Sequence, residues 1–180
     1  MFLALFAEGF EEIEGVTTVD LLKRAEIEVK TVGIGCQIIS GAHGIMICCD
    51  TTDRDMQLND EIEGVILPGG MPGTLNLENS DFVQELLSFC NKKGKWICAI
   101  CAAPTILGHQ GFLKGRRATC FPGMEKELEG AATCNEFICR DRNIITAKGP
   151  GASILFGLNI IETICGTHKA QKIKESLQCP

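Results

Sequence analysis

An α/β fold, with a mostly parallel sheet covered by helices on both faces, is what this sequence predicts. Stretches with strand character and stretches with helix character alternate from one end of the chain to the other, the pattern of βαβ units. Several of the strand stretches, such as residues 2–7, 65–67 and 96–100, are continuously apolar. Strands buried on both faces read that way, whereas half-exposed strands alternate. No repeat, low-complexity segment or linker interrupts the 180 residues, so residues 1–180 read as one domain, long enough for a substantial core.

The elements follow in order. Residues 2–7 form a first strand. The acidic loop 8–12 leads into a helix to about residue 25, with Ile13, Val16, Val19 and Leu22 expected on its apolar side. Residues 27–34 read as a strand. The turn-rich stretch 35–44 holds a short strand at 37–39 that pairs with 45–48. Residues 52–59 are polar and suggest one helical turn. A buried strand at 65–67 ends on Pro68-Gly69-Gly70. Phe82, Leu86 and Cys90 recur at a spacing of four and mark a helix over 81–90. Trp96 to Ile100 is a buried strand, and 102–108 is small and helix-compatible. Pro104 suits a first helical turn, where the missing N–H is not needed. A strand at 117–120, a short acidic helix at 123–128, a polar hairpin at 133–142 and a last strand at 143–147 come next. A long helix over 152–165 is expected to bury Ile154, Leu158, Ile161 and Cys165. Residues 167–177 read as a final exposed helix.

Composition narrows the function. A formal net charge of −6 with no basic stripe argues against nucleic-acid binding. No apolar run is long enough to span a membrane, and the apolar start lacks a basic leader, so it reads as a strand and not as a signal peptide. Eleven cysteines in a chain of this length, in spacings that match no zinc pattern, read as reduced thiols of a cytoplasmic protein, most of them core residues. Cys98 and Cys101 look like a redox pair. Three steps along a strand, however, place them on opposite faces and about 10 Å apart. The three histidines stand alone in the sequence. No residues are assigned to a metal, and no dinucleotide or Walker loop is present.

Cys101 falls on the turn between strand and helix. Free N–H groups and partial positive charge at a helix start favour thiolate, which predicts a thiol pKa below the usual ~8.5. The geometry is that of a nucleophile elbow with Cys in place of Ser. A buried, inert cysteine is the alternative. Gly69-Gly70 after an apolar strand lets backbone come close to a neighbour. Its N–H groups and that of Ala102 could form an oxyanion hole, or the glycines could be a plain tight turn. Among Glu8, Glu11, Glu12 and Glu14, a carboxyl turned toward the thiolate would be held protonated and could act as general acid and base.

Glu11-Glu12-Ile13-Glu14, Leu67-Pro68-Gly69-Gly70, Ala99-Ile100-Cys101-Ala102-Ala103-Pro104 and Lys148-Gly149-Pro150-Gly151 together resemble the signatures of the ThiJ/PfpI superfamily, in the same order and spacing. The similarity covers essentially the whole chain and is strongest to the parkinsonism-associated, deglycase and glutathione-independent glyoxalase branch. It implies a flavodoxin-like three-layer sandwich and a homodimer through the first helix. It also implies Cys101 as nucleophile, Glu14 as its carboxyl partner, Gly70 and Ala102 as oxyanion donors, and a pocket including Gly69, Phe121 and His43.

There are departures from the branch pattern. The branch has His before Pro where this chain has Thr119-Cys120-Phe121-Pro122, Arg at His43 and Arg at Lys148. Ala102 stands where the protease branch carries His, and Thr167-His168-Lys169 lacks the His-x-Glu of amidotransferases, so both of those readings are poor. The resemblance implies a cofactor-free enzyme acting on a small-molecule carbonyl substrate, such as methylglyoxal or early protein adducts. The alternative is a redox-responsive stress protein or chaperone that senses peroxide through Cys101. A thiamine-thiazole role is implied by the superfamily name alone.

Overall fold

The structure, a computed structural model, describes residues 1–178. The last two positions of the expected domain lie outside that range. The helices are α1 (Glu12–Arg24), α2 (Gly73–Glu78), α3 (Asp81–Lys93), α4 (Pro104–His109), α5 (Ser153–Cys165) and α6 (Thr167–Ser176). The strands are β1 (Phe2–Phe6), β2 (Val29–Gly33), β3 (Ile38–Ser40), β4 (Met46–Cys48), β5 (Thr51–Thr52), β6 (Gly64–Leu67), β7 (Trp96–Ile100), β8 (Arg117–Ala118), β9 (Ala132–Thr133), β10 (Ile138–Asp141) and β11 (Ile144–Ala147). Seven strands form the central sheet in the order β10-β11-β7-β6-β1-β2-β5. Every neighbouring pair is parallel except β10 with β11.

The apolar strands are buried on both sides, as their composition requires. Phe2, Ala4 and Phe6 of β1 point into one layer with Leu21, Phe156, Ile160 and Ile161, beneath α1, α5 and α6. Leu3 and Leu5 point into the opposite layer with Leu86, Leu87, Ile106 and Leu107, beneath α3 and α4. The result is the expected three-layer, flavodoxin-like sandwich. Its carboxyl edge gathers the loops after β1, β6 and β7, where such sheets place their chemistry.

Several local expectations are corrected. On α1, Ile13 is 56% and Val16 46% exposed, while Glu12, Glu14, Gly15 and Thr18 are buried. Close approach, not side-chain size, selects the buried face. A Cβ on Gly15 would come within 2.4 Å of the Phe6 ring, and one on Gly157 of α5 within 2.5 Å of Leu21. On α5, likewise, Ile154 and Cys165 are exposed, and Phe156, Leu158, Ile160 and Ile161 carry the packing. The hairpin expected over 133–142 is instead β10 with β11, and β9 pairs in parallel with β8. The acidic helix is a single 3-10 turn, Glu125–Glu127. Cys98 and Cys101 lie in the same core layer, because the strand ends at Ile100 and its alternation does not extend to residue 101. All ten described cysteines are free thiols, six of them buried.

Candidate active site

The turn after β7 holds Cys101 at φ +66°, left-handed backbone that a non-glycine residue rarely adopts. Such strain costs on the order of 1–3 kcal/mol and persists only where the surroundings fix it. Here two bonds do so. The Cys101 N–H donates to the Ala147 carbonyl at 2.9 Å, and its own carbonyl accepts the Phe121 N–H at 2.7 Å. Pro104 then takes the first turn of α4, as its ring geometry favours. The side chain projects from the sheet edge and is 8% exposed, enough to be reached from outside.

Glu14 comes from the first turn of α1 and is fully buried. Its Oε2 accepts the Gly69 N–H at 2.7 Å, while Oε1 has no hydrogen-bond partner. The carboxyl interacts with the Cys101 thiol. Burial, with a smaller push from Glu11, lifts the Glu14 carboxyl to about 7, although the Cys101 thiol and the Gly69 N–H oppose the rise. The Gly69 carbonyl accepts the Glu11 N–H at 2.9 Å, so the loops after β1 and β6 are joined directly beneath the pair.

Cys101 itself departs from the expected acidic thiol. Burial and then the Glu14 carboxylate push it well up, and the N–H groups of Ala102 and Gly70 pull it down without reversing the direction. The reason is visible in the fold. Helix α4 has six residues, and its dipole competes with an anion buried beside the sulfur. The two groups titrate as a unit: the pair gives up one proton near neutrality and resists losing the second. The sulfur therefore becomes nucleophilic by passing its proton to Glu14.

A cavity of about 440 Å³ opens over this pair, lined by Gly70, Met71, Cys101, Ala102, Phe121 and Met124 among others. It is mostly apolar and large enough for a small organic molecule. Phe121 lines it. Met71 and Met124 were not anticipated. Met71 directly follows the glycine pair, which was the available signal; Met124 lies in a loop that gives none. Gly69 sits beneath the cavity, where it orients Glu14.

His43 does not line this cavity. Its Nδ1 lies 2.9 Å from Glu12 Oε2 and 3.7 Å from Glu11 Oε2. Burial alone would raise the Glu12 carboxyl. The His43 ring and the N–H groups of Glu12, His43 and Ile45 instead hold it at about 2. Nor is His109 alone, since it bridges Glu78 and Glu127. Glu11, Glu12 and His43 bring potential metal-ligand atoms within 4.8 Å of one another, a grouping that spacing along the chain did not reveal. Glu12 Oε1 already accepts the N–H groups of His43 and Ile45, so it serves first as the latch of the 41–45 turn.

The model of the DJ-1/PfpI family matches residues 2–163. The chain belongs to that family. It is 34% identical to the Parkinson disease protein 7 homolog of Danio rerio, covering 97% of this chain and 95% of the relative. It is 35% identical to the glutathione-independent glyoxalase DJR-1.2 of Caenorhabditis elegans, covering 94% and 91%. Among solved structures, a DJ-1 superfamily protein of Salmonella typhimurium superposes with a TM-score of 0.94 at 30% identity, covering 99% of this chain and 98% of the other. A glyoxalase among the relatives places enzymatic activity within reach of the DJ-1/PfpI fold. No helix among the described residues is long and apolar enough to cross a membrane.

Proposed function

We propose that this DJ-1/PfpI member is a cysteine-dependent, cofactor-free enzyme of the glyoxalase or deglycase type, converting small dicarbonyls such as methylglyoxal, or their early protein adducts, to hydroxy acids. One observation carries the reading: a buried, partnerless carboxyl oxygen of Glu14 beside a strained Cys101, under an apolar cavity. The sulfur of Cys101 adds to the aldehyde carbon as its proton passes to Glu14. The N–H groups of Gly70 and Ala102 hold the oxygen that gains charge. Glu14 passes that proton to the oxygen, completing the hemithioacetal. As carboxylate it then removes the C–H proton and returns it to the adjacent carbon while the hydroxyl proton moves to the neighbouring oxygen, leaving a thioester. Water cleaves the thioester, releases the hydroxy acid and restores the thiol. The aldehyde carbon is oxidised and the neighbouring carbonyl reduced within one molecule, so no outside reductant or oxidant is consumed. Glutathione-free conversion of methylglyoxal to lactate, lost in Cys101→Ser, is the expected result; equal turnover by that variant would overturn the assignment.

The rate is expected to rise with pH through about 7, where the Glu14–Cys101 pair loses its first proton. Phe121 lines the cavity with a ring that excludes water and cannot take a proton. Phe121→His should add a second ionisation near ~6.5. The acid limb of the pH–rate profile would then steepen from one proton to two, with turnover raised if the imidazole orients water. Superimposable profiles would mean that residue 121 does not take part in proton transfer.

Exposed Ile13 and Val16 on α1 support a homodimer through that helix. Scattering should give twice the 19.5 kDa chain mass and, for Ile13→Lys, a single-chain mass. A wild-type monomer at high concentration would end the idea. Free thiols at all ten described cysteines support a reducing, cytoplasmic setting.

A further inference from the structure

A second thiol cluster lies outside this site. Cys134, just past β9, is partly exposed, and Cys139, in β10, is 2% exposed. Both are free thiols, and Thr119, next to the Ala118 that holds Cys134, donates its N–H to Thr146 Oγ1 at 3.0 Å, opposite Cys139. Burial pushes the Cys139 thiol up to about 12, with Cys134 the next cause, while the positive charge of Arg117 acts against both. Arg117 lies on β8 and pairs with Glu136 at 2.8 Å, inside the segment between the two cysteines. The backbone fixes both ends of that segment. The Cys134 N–H donates to the Ala118 carbonyl at 3.0 Å, and Cys139 sits opposite Thr146 in the β10–β11 ladder.

We propose that Cys134 and Cys139 are a second redox site: a dithiol that hydroperoxides convert reversibly to an intramolecular disulfide, independently of Cys101. Cys134, the more accessible of the two, is the attacking sulfur. As thiolate it cleaves the O–O bond, becomes a sulfenic acid and releases water or an alcohol. The Cys139 sulfur then attacks the sulfenic sulfur and expels water. Two thiols and one hydroperoxide thus give one disulfide, one water, and a second water or an alcohol. Both cysteines flank the Thr119–Thr146 hydrogen bond, so a bond between their sulfurs joins segments that already meet.

The segment between them also touches the wall of the cavity. Phe137 and Phe121 share a shallow apolar depression with Lys148. The Lys148 N–H donates to the Phe137 carbonyl, its ammonium bonds Asn135, and it lies 5.7 Å from the centre of the Phe137 ring. Oxidation would therefore tether the loop that backs Phe121.

The proposal does not depend on the dicarbonyl reading, and the wild-type chain tests it. Trypsin releases residues 127–140, a peptide whose cysteines are Cys134 and Cys139 alone. After mild hydrogen peroxide, denaturation and alkylation, that peptide is expected unalkylated and lighter by the two thiol hydrogens. Dithiothreitol before alkylation should restore double alkylation. Cys101→Ser should give the same yield of disulfide, and Cys134→Ser should leave Cys139 alkylable. Full alkylation of both cysteines at peroxide doses that oxidise Cys101 would overturn the proposal, as would loss of the disulfide in Cys101→Ser or pairing of either sulfur with another cysteine.

Discussion

Glu14→Gln is expected to stop turnover while making the protein more stable above neutral pH. The amide keeps the shape of the carboxyl and can still accept the Gly69 N–H through its oxygen, so the fold has no reason to change. It cannot carry a proton between sulfur and carbon. Positioned acid–base groups contribute about 10²–10⁴-fold, and a loss of that size in kcat is the expected kinetic result. The stability effect has the opposite sign. The Glu14 carboxyl is raised by burial from 4.5 to about 7, so the native state holds this proton more tightly than the unfolded chain. That stabilisation is fully present below about 4.5 and is lost as pH rises through about 7. A shift of that size corresponds to about 3 kcal/mol. The glutamine variant has no such loss. Its Tm should match wild type near pH 4.5 and exceed it by about 5–10 °C at pH 8, at roughly 2–4 °C per kcal/mol for a domain of this size.

The same variant separates thiolate formation from proton transfer. The carboxylate of Glu14 is one of the groups that hold the Cys101 thiol up, so its removal should speed alkylation of Cys101 at neutral pH. A more reactive sulfur with almost no turnover is the combination that assigns Glu14 as proton carrier. Undiminished kcat, or identical melting curves at pH 8, would take that role away.

The fold could be read from sequence because its determinants are local and redundant. Leu3, Val65 and Ile97 sit in runs with no polar alternation, and a doubly covered strand is the structure that tolerates this. Cys101 could be placed on its turn because the apolar run stops at Ile100 and Pro104 follows at a helix start. What escaped depends on contacts between distant segments. The burial of Gly15 and Thr18 on α1, in place of Ile13 and Val16, follows from the approach of Phe6 and α5. His43 is drawn to Glu12, and His109 to Glu78 and Glu127, each across about thirty residues or fewer of sequence with no pattern to announce it. The upward direction of the Cys101 thiol is hidden from the sequence for the same reason. Its neighbours on the helix could be read from the chain, but the depth at which Glu14 is buried beside it could not.

Gly69→Ala is expected to cost much of the activity although it adds only one methyl group. The backbone at Gly69 is not in the left-handed region, so alanine is permitted there by its own torsions. The obstacle is space. A Cβ at this position would lie 2.7 Å from Cys101 Cβ, 2.9 Å from Glu14 Oε2 and 3.0 Å from the Ala102 nitrogen. The methyl therefore falls between the sulfur-bearing turn, its carboxyl partner and one of the proposed oxyanion donors. Relief requires Gly69 to retreat, and its N–H, which holds Glu14 Oε2 at 2.7 Å, must retreat with it. Overpacking of this kind costs about 1–3 kcal/mol of stability, which a domain of this size survives. Misplacement of reacting groups by about 1 Å can cost on the order of 10²-fold in rate, and at least that loss is expected in kcat. Gly151→Ala is the matched control, because a methyl there meets nothing within 4 Å. A folded Gly69→Ala protein that turned over methylglyoxal as fast as the Gly151→Ala control would show that the spacing between Cys101 and Glu14 does not limit the reaction, and the proton path through Glu14 would have to be abandoned.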